Sequence, residues 1–391
     1  MAHSTERLAI TLATRVFEPE GTAAAFRLGN LVRALEAQGH TVTVLTSRSP
    51  AARQSTHRVR RWPVLRDSSG SVRGYLPYMS FDAPVFFRLL FGPRADVIVV
   101  EPPPTTGFVA RVACWFRRTP YVYYAADVLS SAVKGIGASR FVVSMVTWLE
   151  RRALRGAVGV LTTSDESTRQ VVTLGASSES VAMVGTGVDT KRFSPHGRIE
   201  KPGVPYFIYT GTMSEVHGAG VFIDAFSRVA ETDPDVCLRV FGSGVEFDEL
   251  QRQVEHLGDR VRFAKPVGAE ELAPWIRGAV ASLASVRPDR GYDFAYATKA
   301  LTSLSCGTPV IYAGTGPVSA LIRDNRLGWT VDWDPIAVAD AMRHSLDENM
   351  PEPDSRLSAW VEENYSLNTV AASAAEAITV WASEGDPGAV Q

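Results

Sequence analysis

The feature that most constrains the fold is an alternation of short β-branched runs with longer segments of helical periodicity. The runs lie at 8–14, 40–47, 95–100, 120–125, 158–163, 180–185, 206–211, 236–242, 261–267, 279–285, 308–314 and 328–333. Segments with apolar residues at helical spacing, such as 26–39 and 141–156, separate most of them. This order is typical of βαβ units around a parallel sheet. The sequence therefore predicts an α/β protein with two doubly wound, Rossmann-like domains.

A segment rich in glycine, proline and charge, residues 186–205, interrupts the series and is typical of an interdomain connection. We predict an N-terminal domain over 1–195, a linker over 196–205 and a C-terminal domain over 206–354. One or two helices over 355–383 complete the chain. The total of 391 residues is enough for two domains, each with its own core.

Composition excludes several classes of protein. The 40 basic and 42 acidic residues give a net charge of -2, which argues against a dedicated nucleic-acid binder. Cys114, Cys237 and Cys306 are far apart and form no CxxC pair, and the histidines are equally dispersed. We therefore expect a reducing compartment and no metal site. Neither a signal peptide nor a membrane-spanning run is apparent, so a cytoplasmic protein is expected.

Ligands of doubly wound sheets bind beyond the carboxyl ends of the strands, so the loops there are the candidate sites. Gly21 and Thr22 precede the first helix, where backbone N–H groups favour an anion, although taken alone they fit a simple strand-to-helix turn better. Later strands are followed by candidate loops that contain Gly211, Thr212, Gly242 and Gly244. None of these loops has the GxGxxG pattern of a nicotinamide site.

The segment 291–316 is the most informative of these loops. It places Thr298 and Lys299 at the start of a helix that runs to Cys306. A lysine there opposes the helix dipole, at a cost of ~0.3–1 kcal/mol, unless an anion binds beside it. A diphosphate would interact favourably with both the ammonium and the helix N–H groups. The alternative is a solvated surface lysine.

Three segments, GVDTKRF (187–193), GTMSEVHG (211–218) and ATKALTSLSCGTPVIYAGTG (297–316), resemble the GT-B glycosyltransferases. The match is best to glycosyltransferase family four, and it extends over residues 8–380 in consistent order. The resemblance implies two Rossmann-like domains facing across a cleft, with the helices over 355–383 crossing back onto the N-terminal domain. It also implies metal-independent, retaining transfer from a nucleotide-diphosphate sugar, in polysaccharide or lipid-linked glycan biosynthesis.

The resemblance also implies roles for individual residues. Lys299 would bind the donor phosphates, and His217 would help to stabilise the leaving phosphate. Asp127 would face the acceptor or the sugar, although Ala126 stands where a histidine or glutamine is usual. The remaining donor contacts would come from Gly21, Thr22, Gly211, Thr212, Gly242, Gly244, Pro266, Val267, Asp293, Thr298 and Thr302.

The chain departs from the family pattern at several of these positions. Thr302 and Phe294 occupy the positions of two glutamates, and Asp293 would have to bind the ribose instead. Thr212 and His217 replace the arginine and lysine of the phosphate clamp. Three alternatives therefore stay open: a non-catalytic homologue that assists a partner transferase, a nucleotide-sugar epimerase of the same fold, and a transferase acting on a small soluble natural product.

The composition of residues 48–91 indicates which kind of acceptor the protein would bind. Residues 48–73 contain seven arginines and one acidic residue, and an aromatic-rich stretch follows at 75–91. Basic residues beside aromatic ones suit an anionic membrane surface or a lipid-diphosphate acceptor. A solvated strand edge with an amphipathic helix is the alternative. We expect a peripheral membrane contact through this segment, on the cytoplasmic face.

Overall fold

The chain folds into two compact units, each built on its own parallel sheet. Unit 1 comprises residues 1–187 with 367–391, and unit 2 comprises residues 188–366. The computed structural model describes residues 7–20, 22–49, 56–67, 72, 74–135, 139–215, 217–288, 296–347 and 352–384.

The sheet of unit 1 has seven strands in the order β3-β2-β1-β4-β5-β6-β7, and the strand pairs are parallel. The strands are β1 (Ala9–Ala13), β2 (Thr41–Ser47), β3 (Arg58–Trp62), β4 (Val97–Val100), β5 (Tyr121–Ala125), β6 (Gly159–Thr162) and β7 (Val181–Met183). The helices are α1 (Ala23–Ala37), α2 (Tyr75–Phe91), α3 (Pro104–Arg117), α4 (Leu129–Gly135), α5 (Arg140–Arg155) and α6 (Asp165–Leu174).

The sheet of unit 2 has six parallel strands in the order β10-β9-β8-β11-β12-β13. Its strands are β8 (Tyr206–Thr212), β9 (Cys237–Ser243), β10 (Val261–Ala264), β11 (Ser282–Ser285), β12 (Val310–Ala313) and β13 (Gly328–Val331). Its helices are α7 (Gly220–Thr232), α8 (Phe247–Gln253), α9 (Ala269–Arg277), α10 (Thr298–Ser305), α11 (Pro317–Asp324), α12 (Pro335–Asp347) and α13 (Ser355–Tyr365).

The central strands are apolar because helices cover both faces of each sheet. β4 and β5 are buried along their whole length, as expected for parallel strands between two helical layers. On one face, Ile10 and Leu12 of β1 pack with Leu28 and Leu31 of α1. These two parallel sheets confirm the predicted fold class.

The last helix, α14 (Leu367–Glu384), belongs to unit 1. Its Val370, Ala374 and Ile378 pack in the core that contains α1. By contrast, α13 packs against α10 through Leu357 and Val361, so it remains in unit 2. The unit boundaries therefore differ from the predicted ones: residues 188–195 belong to unit 2, and only the second tail helix belongs to unit 1.

β3 lies within residues 48–91, for which a solvated strand edge was the alternative to a membrane-contacting segment. β3 pairs with β2 at the edge of the unit 1 sheet, and its sequence, RVRRW, carries three arginines in five residues. An edge strand is solvated on one side, so it tolerates charge that a central strand would not. The structure thus contains the strand edge that the alternative for this segment predicted.

Candidate active site

Lys299 lies at the second position of α10, and its side chain reaches back over β8. The ammonium is 4.4 Å from the centre of the Tyr209 ring and donates a hydrogen bond of 3.0 Å to the Tyr209 hydroxyl. Within the described part of the chain, no carboxylate forms an ion pair with it. Burial without a counter-charge lowers the pKa of Lys299 to about 7. An anion beside this ammonium would restore its charged form.

Gly211, the last residue but one of β8, lies directly against this lysine. A Cβ atom built on Gly211 would be 3.4 Å from Nζ of Lys299, and the residue has φ +130°. Both the backbone conformation and the close approach favour glycine here. The structure thus brings together the predicted residues Gly211 and Lys299.

His217 is the third predicted residue in this neighbourhood. Its Nδ1 lies 3.1 Å from Oγ of Ser214, and its carbonyl accepts a hydrogen bond from Ser285. Burial, and secondly the charge of Lys299, lower the pKa of His217 to about 4. The imidazole is therefore neutral at pH 7 and can act there as a hydrogen-bonding group rather than as a cation.

Several polar residues of this neighbourhood were not predicted from the sequence. Burial and the neighbouring Glu215 raise the pKa of Glu246, and its Oε2 has no hydrogen-bond partner in the described part of the chain. The guanidinium of Arg287 stacks 4.8 Å from the centre of the Trp333 ring. Arg287 and Trp333 each follow a strand by two residues, after β11 and β13. Systematic inspection of every strand end would have found them.

Gly242 and Gly244 have a clear packing role. In the register of the sheet Gly242 stands opposite Gly211, and a Cβ atom on it would collide with the Gly211 carbonyl. A Cβ atom on Gly244 would collide with the Met213 carbonyl. These two glycines allow β8 and its loop to lie close to β9, and their predicted contact with a ligand stays a prediction.

The other predicted donor contacts are dispersed over unit 2. Thr212 is exposed at the end of β8, and its carbonyl accepts a hydrogen bond of 2.8 Å from Tyr209. Thr302 donates to the carbonyl of Thr298, the exposed first residue of α10, at 3.1 Å. The loop between β10 and α9 contains the exposed Pro266 and the half-buried Val267. Gly21, Asp293 and Phe294 lie outside the described residues.

In unit 1, the two described candidates have different surroundings. Thr22 caps α1, because its hydroxyl accepts a hydrogen bond of 3.2 Å from the Ala25 N–H. Asp127 is exposed and follows β5 by two residues. The sequence singled out Asp127 because of this position after a strand.

A buried ion pair lies close to Asp127 and was not predicted. Arg27 of α1 pairs with Glu101, which follows β4 and also accepts a hydrogen bond of 3.0 Å from Thr14. Burial disfavours the charge of Arg27, but the nearby carboxylates of Glu101 and Asp127 raise its pKa above the ordinary value. Residues that follow β1, β4 and β5 thus lie together in one charged cluster of unit 1.

The described residues contain no group of three or more His, Cys, Asp or Glu side chains arranged to hold a metal ion. Among them, too, no helix has the length and apolar character needed to cross a membrane.

Two models of known glycosyltransferase families match this chain. The model of the glycosyl transferase 4-like domain matches residues 22–187, and the model of glycosyl transferases group 1 matches residues 204–348. The chain belongs to the family-four type of GT-B glycosyltransferases. The first of these glycosyltransferase models ends at the boundary between units 1 and 2, and the second lies within unit 2.

Curated relatives of this glycosyltransferase chain include two D-inositol 3-phosphate glycosyltransferases. The one from Paenarthrobacter aurescens (strain TC1) is 30% identical over 57% of this chain and 57% of its own length. The one from Streptomyces scabiei (strain 87.22) is 30% identical over 56% of this chain and 53% of its own length. The chain thus matches about half the length of these relatives.

Solved structures show the same GT-B fold over nearly the whole chain. Anabaena Alr3699/HepE, solved in complex with UDP and glucose, has a TM-score of 0.65 and 18% identity, covering 95% of this chain and 99% of that one. WaaG, a glycosyltransferase involved in lipopolysaccharide biosynthesis, has a TM-score of 0.68 and 16% identity, with the same coverage.

Proposed function

We propose that the chain transfers a sugar from a nucleoside-diphosphate sugar to an acceptor hydroxyl, with retention of configuration at the anomeric carbon. Family membership supports the reaction class, and the complex of Alr3699/HepE with UDP supports the donor class. The observation that carries the proposal is Lys299, a half-buried ammonium at the start of α10 without a carboxylate partner among the described residues.

The donor diphosphate would bind at this lysine. A helix N-terminus presents free N–H groups and a partial positive charge, and Lys299 adds a full charge when a phosphate is beside it. Gly211 leaves room for a phosphate to approach the ammonium, because it has no side chain. The neutral imidazole of His217 would donate a hydrogen bond to the same group.

In the transfer step, the bond between the anomeric carbon and the diphosphate oxygen breaks, and negative charge develops on the leaving phosphate. Lys299 stabilises that charge electrostatically, which is how most of the rate enhancement of such reactions arises. The acceptor oxygen forms the new bond on the same face, and its proton passes to the leaving phosphate. We further propose that these protein groups act without a divalent cation, which activity in the presence of EDTA would test.

Asp127 would act on the acceptor side of the reaction. Its exposed carboxylate follows β5 at the carboxyl edge of the unit 1 sheet, where ligands of such sheets bind. There it would accept a hydrogen bond from the hydroxyl of an acceptor or a sugar. We propose glycans or lipid-linked glycans as acceptors, and the names of the curated relatives add inositol phosphates.

A second candidate is a non-catalytic homologue that assists a partner transferase. It is favoured by Thr212 and Thr302, hydroxyl residues at positions where the family usually carries an arginine and a glutamate. Such a protein would bind a nucleotide and form no product.

The test is a donor and acceptor matrix with the purified chain. UDP, GDP, ADP, TDP and CDP sugars are each combined with an inositol phosphate and with a lipid diphosphate, and product is detected by mass spectrometry. Transfer with one donor, lost in Lys299→Met and kept in the exposed control Lys201→Met, supports the proposal. Nucleotide binding without product supports the accessory candidate, and absence of nucleotide binding contradicts both.

We also propose that residues 48–91 bring the protein to the cytoplasmic surface of a membrane. Tyr75 and Leu76 at the start of α2 are 72% and 65% exposed, which is unusual for large apolar side chains. Exposed aromatic side chains beside arginines suit the interface of an anionic bilayer.

A further inference from the structure

Part of the unit 1 sheet is polar where an apolar face is expected. Thr11 of β1, Thr43 of β2 and Arg58 of β3 stand side by side in register and form a row on one face of the sheet. Parallel strands between two helical layers are normally apolar on both faces. Ile10 and Val42, the neighbours of this row on the opposite face, follow that rule and lie in the core with α1.

The row opens into a cavity of about 810 Å³ at the amino ends of the strands. The last turns of α2 and the loop after it form another wall. Glu101 and Asp127 follow the opposite, carboxyl ends of the strands. The cavity is therefore separate from the candidate active-site residues of unit 1.

Among the described residues, the cavity is lined by five arginines and by no acidic residue: Arg58, Arg60, Arg88, Arg94 and Arg117. We call it the arginine pocket. The acid adjoining its lining in sequence is Asp96, whose carboxylate accepts a hydrogen bond of 2.6 Å from the backbone N–H of Ala9.

Two of the five arginines are held by the protein itself. Arg88 stacks 4.3 Å from the centre of the Trp62 ring, and Arg117 donates to the carbonyls of Leu90 and Gly92 at 2.8 and 3.0 Å. These contacts leave both guanidinium charges without a counter-ion among the described residues.

The other three arginines are exposed and form no ion pair within the described part of the chain. Charge on an edge strand prevents pairing with another chain, which explains Arg58 and Arg60. It does not explain Arg94, which follows α2, nor the threonines in the middle of the sheet. Like charges at one cavity repel one another, and a ligand of opposite charge would relieve that repulsion.

We propose that the arginine pocket binds the phosphate groups of an anionic ligand. Guanidinium groups bind phosphate oxygens in pairs of parallel hydrogen bonds, and threonine hydroxyls add further donors. At the rim, Phe87 and Phe91 stack with ring centres 6.3 Å apart and are 56% and 76% exposed. They suit a ligand with an apolar part, such as a phospholipid whose headgroup enters the pocket. A soluble phosphorylated molecule has the same headgroup chemistry.

This inference deepens the proposal of a membrane contact through residues 48–91, and it does not rest on sugar transfer. The test variant is the double substitution Arg58→Gln and Arg60→Gln. The control is Arg228→Gln with Arg252→Gln, which removes the same charge from exposed positions on α7 and α8 of unit 2. Urea unfolding of both variants shows whether they fold as the parent does.

Two binding measurements distinguish the sources of the phosphate. In the first, flotation with vesicles of equal parts phosphatidylglycerol and phosphatidylcholine measures lipid binding, with pure phosphatidylcholine as reference. In the second, calorimetry measures inorganic pyrophosphate binding in a Lys299→Met background, which removes the proposed donor site. We expect the pocket variant to bind about 30-fold more weakly, since each of its two arginines near an anionic surface contributes about 1 kcal/mol.

Each outcome decides the matter. Loss of vesicle binding in the pocket variant but not in the control supports a lipid source. Loss of pyrophosphate binding alone supports a soluble source and ends the membrane proposal, while the arginine pocket stands. If the parent binds neither, or if both double variants lose binding equally, the pocket proposal is overturned. Sugar transfer is untouched by any of these results.

Discussion

Lys299 is expected to destabilise the free protein. Burial lowers the pKa of Lys299 from 10.5 to about 7. At 1.36 kcal/mol per unit, holding this lysine charged costs at most about 4–5 kcal/mol of the free energy of unfolding. Solvent screens part of this cost, because the side chain is only half-buried.

Lys299→Met removes that cost and keeps an unbranched side chain that ends where the lysine has its last carbon. It also removes the hydrogen bond to Tyr209 and the contact with its ring, worth about 1 kcal/mol each. The net expectation is that the variant is about 1–2 kcal/mol more stable than the parent at pH 7. Stabilisation by loss of a residue is typical of sites where stability is sacrificed for function.

The pH dependence gives the sharper test. Between pH 7 and 10.5 the unfolded chain still binds the Lys299 proton and the folded protein has lost it, so the parent gains stability as the pH rises. The advantage of the variant is therefore largest below pH 7, and it is lost before pH 10.5 because the variant lacks the contacts with Tyr209 at every pH. Urea titrations from pH 6 to 10 measure it, with Lys201→Met as the control. A variant that is less stable than the parent at pH 6 refutes the reasoning.

Three further predictions concern unit 1. Arg27→Met leaves the carboxylate of Glu101 buried without its partner and should lower the free energy of unfolding by about 3–5 kcal/mol, whereas adding Glu101→Gln should recover part of the loss in urea titrations. Gly159→Ala drives a methyl group into a buried indole of α14 and should cost about 1–3 kcal/mol, while Gly268→Ala, with open space around it, should change stability by less than about 0.5 kcal/mol. Asp127→Asn should reduce turnover at least about tenfold, because it removes a group that would engage the acceptor. The unfolding midpoint should not change, since the side chain is exposed. Normal turnover would exclude Asp127 from the mechanism.

The sequence predicts the fold better than it predicts the site, for a physical reason. Periodicity reports burial, and burial defines strands such as β4 and β5 and helices such as α5. At β3 an edge position permits a charged strand, so the pattern offered a strand edge there only as an alternative. The unit boundary at residue 366 was also missed, because α13 and α14 have similar patterns and differ only in the core that they join.

Within the site, sequence reasoning found residues with an unusual local position and missed those defined by tertiary contacts. Lys299 was found because a lysine at a helix start is unfavourable without an anion. Tyr209 was missed because it looks like an ordinary residue of a buried strand, although it is the residue that holds the lysine. Glu246 and Arg27 were missed because nothing in the adjacent sequence shows that they meet other charged groups.

The proposed transfer requires a nucleoside diphosphate to bind at Lys299, and calorimetric titration measures that binding directly. UDP, GDP and ADP are titrated into the parent and into Lys299→Met at pH 7 and pH 9. One nucleotide should bind the parent, about 50-fold more weakly at pH 9 than at pH 7, because the free lysine is half charged at its pKa of about 7 and about 1% charged two units higher. The variant should bind it weakly at both pH values. Equal binding by parent and variant, or no pH dependence in the parent, would contradict the account.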